Sequence, residues 1–196
     1  INKLVINPQN SRVLYADRFR SNDGGESWSE MNLTVNIVTD LALAAGAPDT
    51  LYATGFNNNH GDIEAAILRS NDGGSHWHNV LGEGIPITQF TDLDADPVNS
   101  THLYAQVRIG NFFGCTGTNV LYKSEDSGDH WRKLDVVGTQ PLRIDSQNPK
   151  NLYFLNWDAV QTSFDSGETW QRLELDPLFS ARSLALDANN QDTLSL

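Results

Sequence analysis

Short apolar runs alternate with turn residues along the whole chain. Leu4-Val5-Ile6 is followed by Asn7-Pro8, Leu93-Asp94-Ala95 by Asp96-Pro97, and Leu142-Arg143-Ile144 by Asp145. Leu41-Ala42-Leu43 and Leu184-Ala185-Leu186 have the same shape. Runs this short, bounded by Asn, Asp, Pro or Gly, predict β-strands, and no stretch sustains a helical period. A second run built on Leu-Tyr follows each: Leu14-Tyr15, Leu51-Tyr52, Leu103-Tyr104 and Leu152-Tyr153, with Leu194-Ser195-Leu196 in the fifth place. The stretches 2–7, 38–44, 90–95, 140–145 and 182–187 are expected to be inner strands around a common axis.

A third pattern fixes the repeat. The frame S-x-D-x-G-x-x-W occurs at Ser21, Asp23, Gly25, Trp28; at Ser70, Asp72, Gly74, Trp77; at Ser124, Asp126, Gly128, Trp131; and at Ser163, Asp165, Gly167, Trp170. It takes four of the five tryptophans, so it is no chance recurrence. Trp28 to Trp77 spans 49 residues, Trp77 to Trp131 spans 54 and Trp131 to Trp170 spans 39. One unit therefore reads strand, turn, strand, loop, strand, turn, strand. Four strands in about 40–50 residues is the size of a β-propeller blade. The fold predicted is all-β, a propeller of four-stranded antiparallel blades. Its units fall at 1–36, 37–88, 89–139 and 140–179, with a partial fifth at 180–196.

The frame itself has a structural logic. Its glycine can adopt the positive φ that a tight hairpin requires. Its Asp and Ser can accept hydrogen bonds from the turn backbone. Its Trp can bury a ring against a neighbouring unit while the indole N–H finds an acceptor. One carboxylate per turn is too few for calcium, which needs six to eight converging oxygens, so no metal or cofactor is expected there.

The four frames resemble Asp-box repeats, also called bacterial neuraminidase repeats. These occur in sialidases, xyloglucan-hydrolysing glycosidases, sortilin-type receptors and photosystem II assembly-factor-like bacterial proteins. The pattern from Gly84-Ile85-Pro86 through Asp96-Pro97 and Leu103-Tyr104-Ala105 to the frame at Ser124 is most similar to the last group. The resemblance implies the fold and leaves the function open, because these families do unrelated things.

Composition narrows the partners. With 13 Lys+Arg against 25 Asp+Glu, the net charge is −12, which argues against nucleic acid, whose phosphates need clustered cations. The longest apolar runs, such as 41–45, are far too short to span a membrane as a helix. The single cysteine, Cys115, allows no intrachain disulfide and no cysteine-built metal site. The chain begins at Ile1 and reads as a mature piece or a fragment.

Alternating strand directions put the turn after the first strand and the frame turn on one face, and the remaining loops on the other. From the Leu-Tyr tyrosine to the frame serine the separations are 6, 18, 20 and 10 residues, so that second face varies. Loops on a rigid scaffold carry function more often than the scaffold does. The candidate ligand-binding residues there are Asn57, Asn59, His60, Asp62, Arg108, Phe112, Trp157 and Asp158. Aromatic, amide and carboxylate groups of this kind suit a sugar or a protein surface.

A glycosidase needs two carboxyl groups across a pocket, one with a raised pKa. Asp40, Asp62, Asp92, Asp94 and Asp158 are the candidates, with Asp92 and Asp94 also readable as solvated strand-end residues. A sialidase needs an arginine triad, and near the first strands only Arg143 and Arg182 occur. The function expected is a non-catalytic propeller segment that binds protein or glycan in a larger extracellular, cell-surface or periplasmic protein. The alternative is a xyloglucanase-type glycoside hydrolase. The missing blades are expected from the rest of the parent chain or another subunit. Ala16 to Arg20 leaves so little room between Tyr15 and Ser21 that either the first outer hairpin is minimal or residues are missing.

Overall fold

The alternation of apolar and polar residues in each short run gives strands with two different faces, and in the second and third sheets apolar side chains pack against the neighbouring sheets. A computed structural model describes residues 3–59, 62–82, 85, 89–109, 118–138, 140–156, 159–175, 184–186 and 194–195. Four antiparallel four-stranded sheets follow one another. The first contains β1 (Leu4–Ile6), β2 (Leu14–Ala16), β3 (Phe19–Ser21) and β4 (Ser29–Glu30). The second contains β5 (Ile37–Leu43), β6 (Leu51–Asn59), β7 (Asp62–Ser70) and β8 (His78–Asn79). The third contains β9 (Gln89–Ala95), β10 (Leu103–Ile109), β11 (Thr118–Ser124) and β12 (Arg132–Gly138). The fourth contains β13 (Arg143–Ile144), β14 (Leu152–Leu155), β15 (Ala159–Ser163) and β16 (Gln171–Glu174). A two-stranded pair, β17 (Ala185–Leu186) with β18 (Leu194–Ser195), starts a fifth.

Each sheet runs in simple meander order, and β1 lies against β5 and β5 against β9. These are the blades of a partial β-propeller. The core sits between blades. One apolar cluster joins Tyr15, Met31 and Val35 to Leu41, Leu51 and Leu68; another joins Tyr52, Ile67 and Val80 to Phe90, Leu93 and Tyr122; a third joins Tyr104, Leu121 and Leu134 to Leu152 and Phe154. Among the described residues no helix is long and apolar enough to cross a membrane.

The outer hairpin of the first blade is minimal. Leu14–Ala16 pairs with Phe19–Ser21, so Asp17 and Arg18 alone make the turn. Asp17 takes φ 49°, a conformation that aspartate tolerates better than most side chains.

The frame turns are alike in all four blades. Gly25, Gly74, Gly128 and Gly167 have φ of 89–97°, which is why glycine stands there. The serine Oγ accepts the N–H of that glycine at 2.8–2.9 Å and donates to the Asp carboxylate at 2.7–2.9 Å. The carboxylate accepts the N–H of Ser27, His76, His130 or Thr169, four residues on, at 2.8–2.9 Å. Gly24, Gly73, Ser127 and Ser166 each donate their N–H to a carbonyl in the turn after the first strand, at 2.8–2.9 Å. That bond holds the two turns together at one end of every blade.

The same turns grip the preceding blade. A Cβ on Gly74 would lie 2.5 Å from Met31, on Gly128 2.8 Å from Val80, and on Gly167 2.7 Å from Leu134. Met31, Val80 and Leu134 each stand three residues after a frame tryptophan. Arg20 Nη1 donates to the Gly73 carbonyl at 2.9 Å and Arg69 Nη1 to the Ser127 carbonyl at 3.0 Å. The equivalent Lys123, almost fully buried, pairs with Glu125 at 2.7 Å and reaches Glu168 of the next blade at 3.6 Å.

The frame tryptophans are less buried than their size suggests. Trp77, Trp131 and Trp170 are half-buried, and Trp28 is 41% exposed. Their rings lie beside the turn glycine, with the indole N–H donating to Gly25, Gly74 and Gly167 carbonyls, or, for Trp131, to the Val80 carbonyl of the blade before. Trp28 is the most exposed because no described residues form a blade in front of it.

Candidate functional site

The inner strands carry the most unusual chemistry. Leu4, Leu41, Leu93 and Leu142 occupy equivalent places in β1, β5, β9 and at the start of β13. The residue before each is Lys3, Asp40, Asp92 and Pro141, and the residue after is Val5, Ala42, Asp94 and Arg143. Both β5 and β9 contain a register shift, between Val38 and Asp40 and at the matching place opposite Gln106 and Val107. Thr39 and Thr91 sit in these bulges, which re-aim side chains in a strand, and each is followed by Asp-Leu.

Asp40 is buried and joins three blades. Its carboxylate accepts the Leu41 N–H at 2.7 Å, the Leu93 N–H of the third blade at 2.8 Å, and the Lys3 ammonium of the first blade at 3.0 Å. Lys3 also reaches the Leu93 carbonyl at 3.5 Å. Asp92 and Asp94 stand beside this group, both half-buried, and their charges act on Lys3 and on one another. Removal from water pushes the Asp92 carboxyl up to about 8, and the neighbouring Asp94 charge adds to this. Burial also raises Asp94, against the pull of Lys3 and Arg143. For Lys3, burial disfavours the ammonium, but Asp40, Asp94 and Asp92 together outweigh it and hold the group above its ordinary value. Asp92 and Asp94 are thus not the solvated strand-end residues that the sequence allowed. Asp92 lies in the middle of β9 and Asp94 one residue from its end, where the inner strand runs beside β5 and Lys3.

Gln106, directly opposite Asp92 on β10, is buried, and its amide N–H donates to the Gln140 carbonyl at 3.2 Å. Its Oε1 and the Asp92 Oδ2 are both buried acceptors without a donor. Among the described residues no three His, Cys, Asp or Glu side chains are arranged to hold a metal ion.

The loop-face candidates are only partly described. Asn57, Asn59 and Asp62 share the long β6–β7 hairpin, where Asn59 pairs with Asp62. Asn57 accepts the Asn36 N–H at 2.8 Å and donates to the Thr34 carbonyl at 3.2 Å, so its amide braces the crossover from the first blade to the second. Arg108 lies near the end of β10, half-buried and with an interaction partner. His60, Phe112, Trp157 and Asp158 lie outside the described residues, as does Cys115. Sequence reasoning gave Lys3 and Gln106 no role. The signal available was a polar residue in an otherwise apolar inner run.

No protein-family model matches the chain. The chain is similar to a xyloglucanase of a Paenibacillus species, 26% identical over 87% of this chain and 20% of that protein. Among solved structures it is similar to an ancestral GH74 enzyme, with a TM-score of 0.73 and 21% identity over 96% of this chain and 26% of that one. It is also similar to YCF48 bound to D1 peptide, with a TM-score of 0.59 and 13% identity over 99% of this chain and 69% of that one. The chain therefore spans about a fifth of the xyloglucanase and about a quarter of the GH74 enzyme, and the structural likenesses speak to the fold.

Proposed function

We propose that this chain is a run of propeller blades from an extracellular xyloglucan-hydrolysing protein of the GH74 kind, and that its loop face helps to hold the glycan. The likeness to a xyloglucanase along 87% of the chain carries the reading. It favours an enzyme context over the purely non-catalytic scaffold that the repeat alone suggested. The repeat is proposed to be of the Asp-box type.

Within that reading Asp40 is not one of the hydrolytic pair. Glycosidase carboxyl groups stand about 5–9.5 Å apart, with room for a sugar and a water between them. The Asp40 carboxylate is already taken up by the Leu41 N–H, the Leu93 N–H and the Lys3 ammonium. Asp62 and Asp158 are proposed as the loop-face carboxylates that meet the glycan. Asn59, His60, Arg108, Phe112 and Trp157 are proposed to contact it, and Asn57 to position the hairpin that presents Asn59 and Asp62.

The test is calorimetric titration of the chain with xyloglucan oligosaccharides, alongside an assay for reducing ends released from xyloglucan. Binding that falls at least about tenfold on Trp157→Ala, as expected for loss of a stacked aromatic, supports the reading. Absence of binding, or binding indifferent to Trp157→Ala combined with Asp62→Ala, sinks it. A second reading, a peptide-binding propeller, draws on the likeness in fold to YCF48 bound to D1 peptide. Peptide binding on the same face with no affinity for glycan would support that reading instead.

A further inference from the structure

We propose that His76 and His78, with the Asp72 carboxylate behind them, bind a divalent transition ion such as zinc at the outer edge of the second blade. The seventh position of the frame supplies a partner for the second carboxylate oxygen in every blade. It is a hydroxyl in Ser27 and Thr169 and an imidazole in His76 and His130. His76 Nδ1 lies 2.5 Å from Asp72 Oδ2, and the His76 backbone N–H donates to Asp72 Oδ1 at 2.9 Å. An ionised carboxylate only accepts, so the ring carries its proton on Nδ1 and, when neutral, keeps its lone pair on Nε2. The side chain is 80% exposed, which leaves that lone pair open to solvent. One ring nitrogen held by a carboxylate and the other open is the arrangement in which histidine ligates a metal.

The second ligand sets this blade apart. Two residues beyond the seventh position stand Ser29, His78, Arg132 and Gln171, so the second blade alone has a histidine pair. Trp77, between the two histidines, packs toward the first blade against the cluster that contains Tyr15 and Met31. His76 and His78 are exposed on either side of it, as alternation along an extended segment requires. Residues two apart in such a segment are separated by about 7 Å, a span across which two imidazoles can converge on one ion at about 2.0–2.1 Å. Arg69 stands opposite His78 across the strands, but its guanidinium donates to the Ser127 carbonyl and faces the Asp129 carboxylate at 3.5 Å, which balances its charge. The net charge of −12 favours a cation over an anion at this surface. Imidazole ligands select zinc, copper or nickel, unlike the all-oxygen calcium site set aside for the frame turns, and the remaining coordination positions are left to water.

The experiment is calorimetric titration of the 196-residue chain with zinc chloride near neutral pH, with nitrogen NMR of the histidine rings alongside. His78→Gln should weaken binding at least about tenfold, and Asp72→Asn, which frees the His76 ring, by about 10–100-fold. His130→Gln is the internal control. It removes the same carboxylate–imidazole pair from the blade where Arg132 stands in the second place, and should leave zinc affinity unchanged. In the parent, zinc should shift His76 Nε2 while Nδ1 stays protonated. Equal losses in His78→Gln and His130→Gln, binding no tighter in the parent than in His78→Gln, or a His76 ring indifferent to zinc would each overturn the proposal. Both histidines are exposed, so their variants should keep the fold; if Asp72→Asn disturbs its turn, the histidine variants and the ring nitrogens decide the matter.

Discussion

Gly128→Ala isolates the contact between a turn and the blade before it. At φ 95° an alanine is strained wherever it stands, by about 1–2 kcal/mol. The new Cβ would also lie 2.8 Å from Val80 Cγ2 and 3.2 Å from Val80 Cβ. Val80 is buried and β-branched, with little rotamer freedom to move aside, so overpacking adds about 1–3 kcal/mol. Gly25→Ala is the internal control. Its φ is 97°, but its Cβ would meet only Leu14 and Trp28, at ordinary contact distances of 3.5 and 3.7 Å. The expected losses are therefore about 1.5 kcal/mol at Gly25 and about 3–4 kcal/mol at Gly128. Urea denaturation followed by tryptophan fluorescence measures both, and an unchanged m-value would show that the two states are comparable. In a double-mutant cycle, Val80→Ala should recover about 1–2 kcal/mol of the Gly128→Ala loss. Losses within about 0.5 kcal/mol of each other at Gly25 and Gly128, or strict additivity with Val80→Ala, would refute this account of the joint.

Three further outcomes follow from the turns. The frame carboxylates are held down by donors of their own turns: Asp126 to about 2, chiefly by the His130 N–H, Asp165 to about 2, chiefly by the Thr169 hydroxyl, and Asp23 and Asp72 lower still through the Ser27 hydroxyl and the His76 ring. Their contribution is complete above about pH 4 and is lost as pH falls toward 2, so an acid melt of Asp165→Asn should be shallower than that of the parent there. Trp77→Ala should cost more than Trp28→Ala, about 3 against about 1 kcal/mol, because Trp77 packs on the first blade and Trp28 is largely exposed; equal melting temperatures would contradict this. Arg69→Ala should cost about 1 kcal/mol by leaving the Ser127 carbonyl without its charged donor, and hydrogen exchange around Ser127 should rise.

The strands and turns were legible in the sequence because their residues answer local requirements. Glycine at 25, 74, 128 and 167 reports a positive φ, and the Ser-Asp pair reports a turn that satisfies its own backbone. The short stretch from Tyr15 to Ser21 left two options open, and Asp17 at φ 49° resolves them as a two-residue hairpin. What depends on the neighbouring blade was not legible. Tryptophan suggested deep burial, yet its exposure is set by whether another blade stands in front of it, as the contrast of Trp28 with Trp77 shows. Asp92 and Asp94 looked like strand-end carboxylates because a period of two says which residues share a face and not what that face meets. The matching triplets at Thr39 and Thr91 were the available clue, since equivalent polar positions in successive inner strands converge on the same axis. On the loop face, spacing indicated where long connections lie but could not separate a brace such as Asn57 from a residue free to meet a ligand.

The joints between blades all point the same way. Met31, Val80 and Leu134 are plugs, and the turns at Gly74, Gly128 and Gly167 are the holes they fill, always in the following blade. The series gives the array a polarity, with unlike ends. At the leading end a Cβ on Gly25 meets only Leu14 and Trp28, and beside Trp28 the residues Ala16, Asp17 and Phe19 line an apolar cavity of about 350 Å³. At the trailing end the equivalent residue is Leu173, three residues after Trp170 and 55% exposed among the described residues. Like a filament with distinct ends, such an array can be lengthened or closed only in one sense, plug to hole. Two leading ends, or two trailing ends, have nothing to exchange.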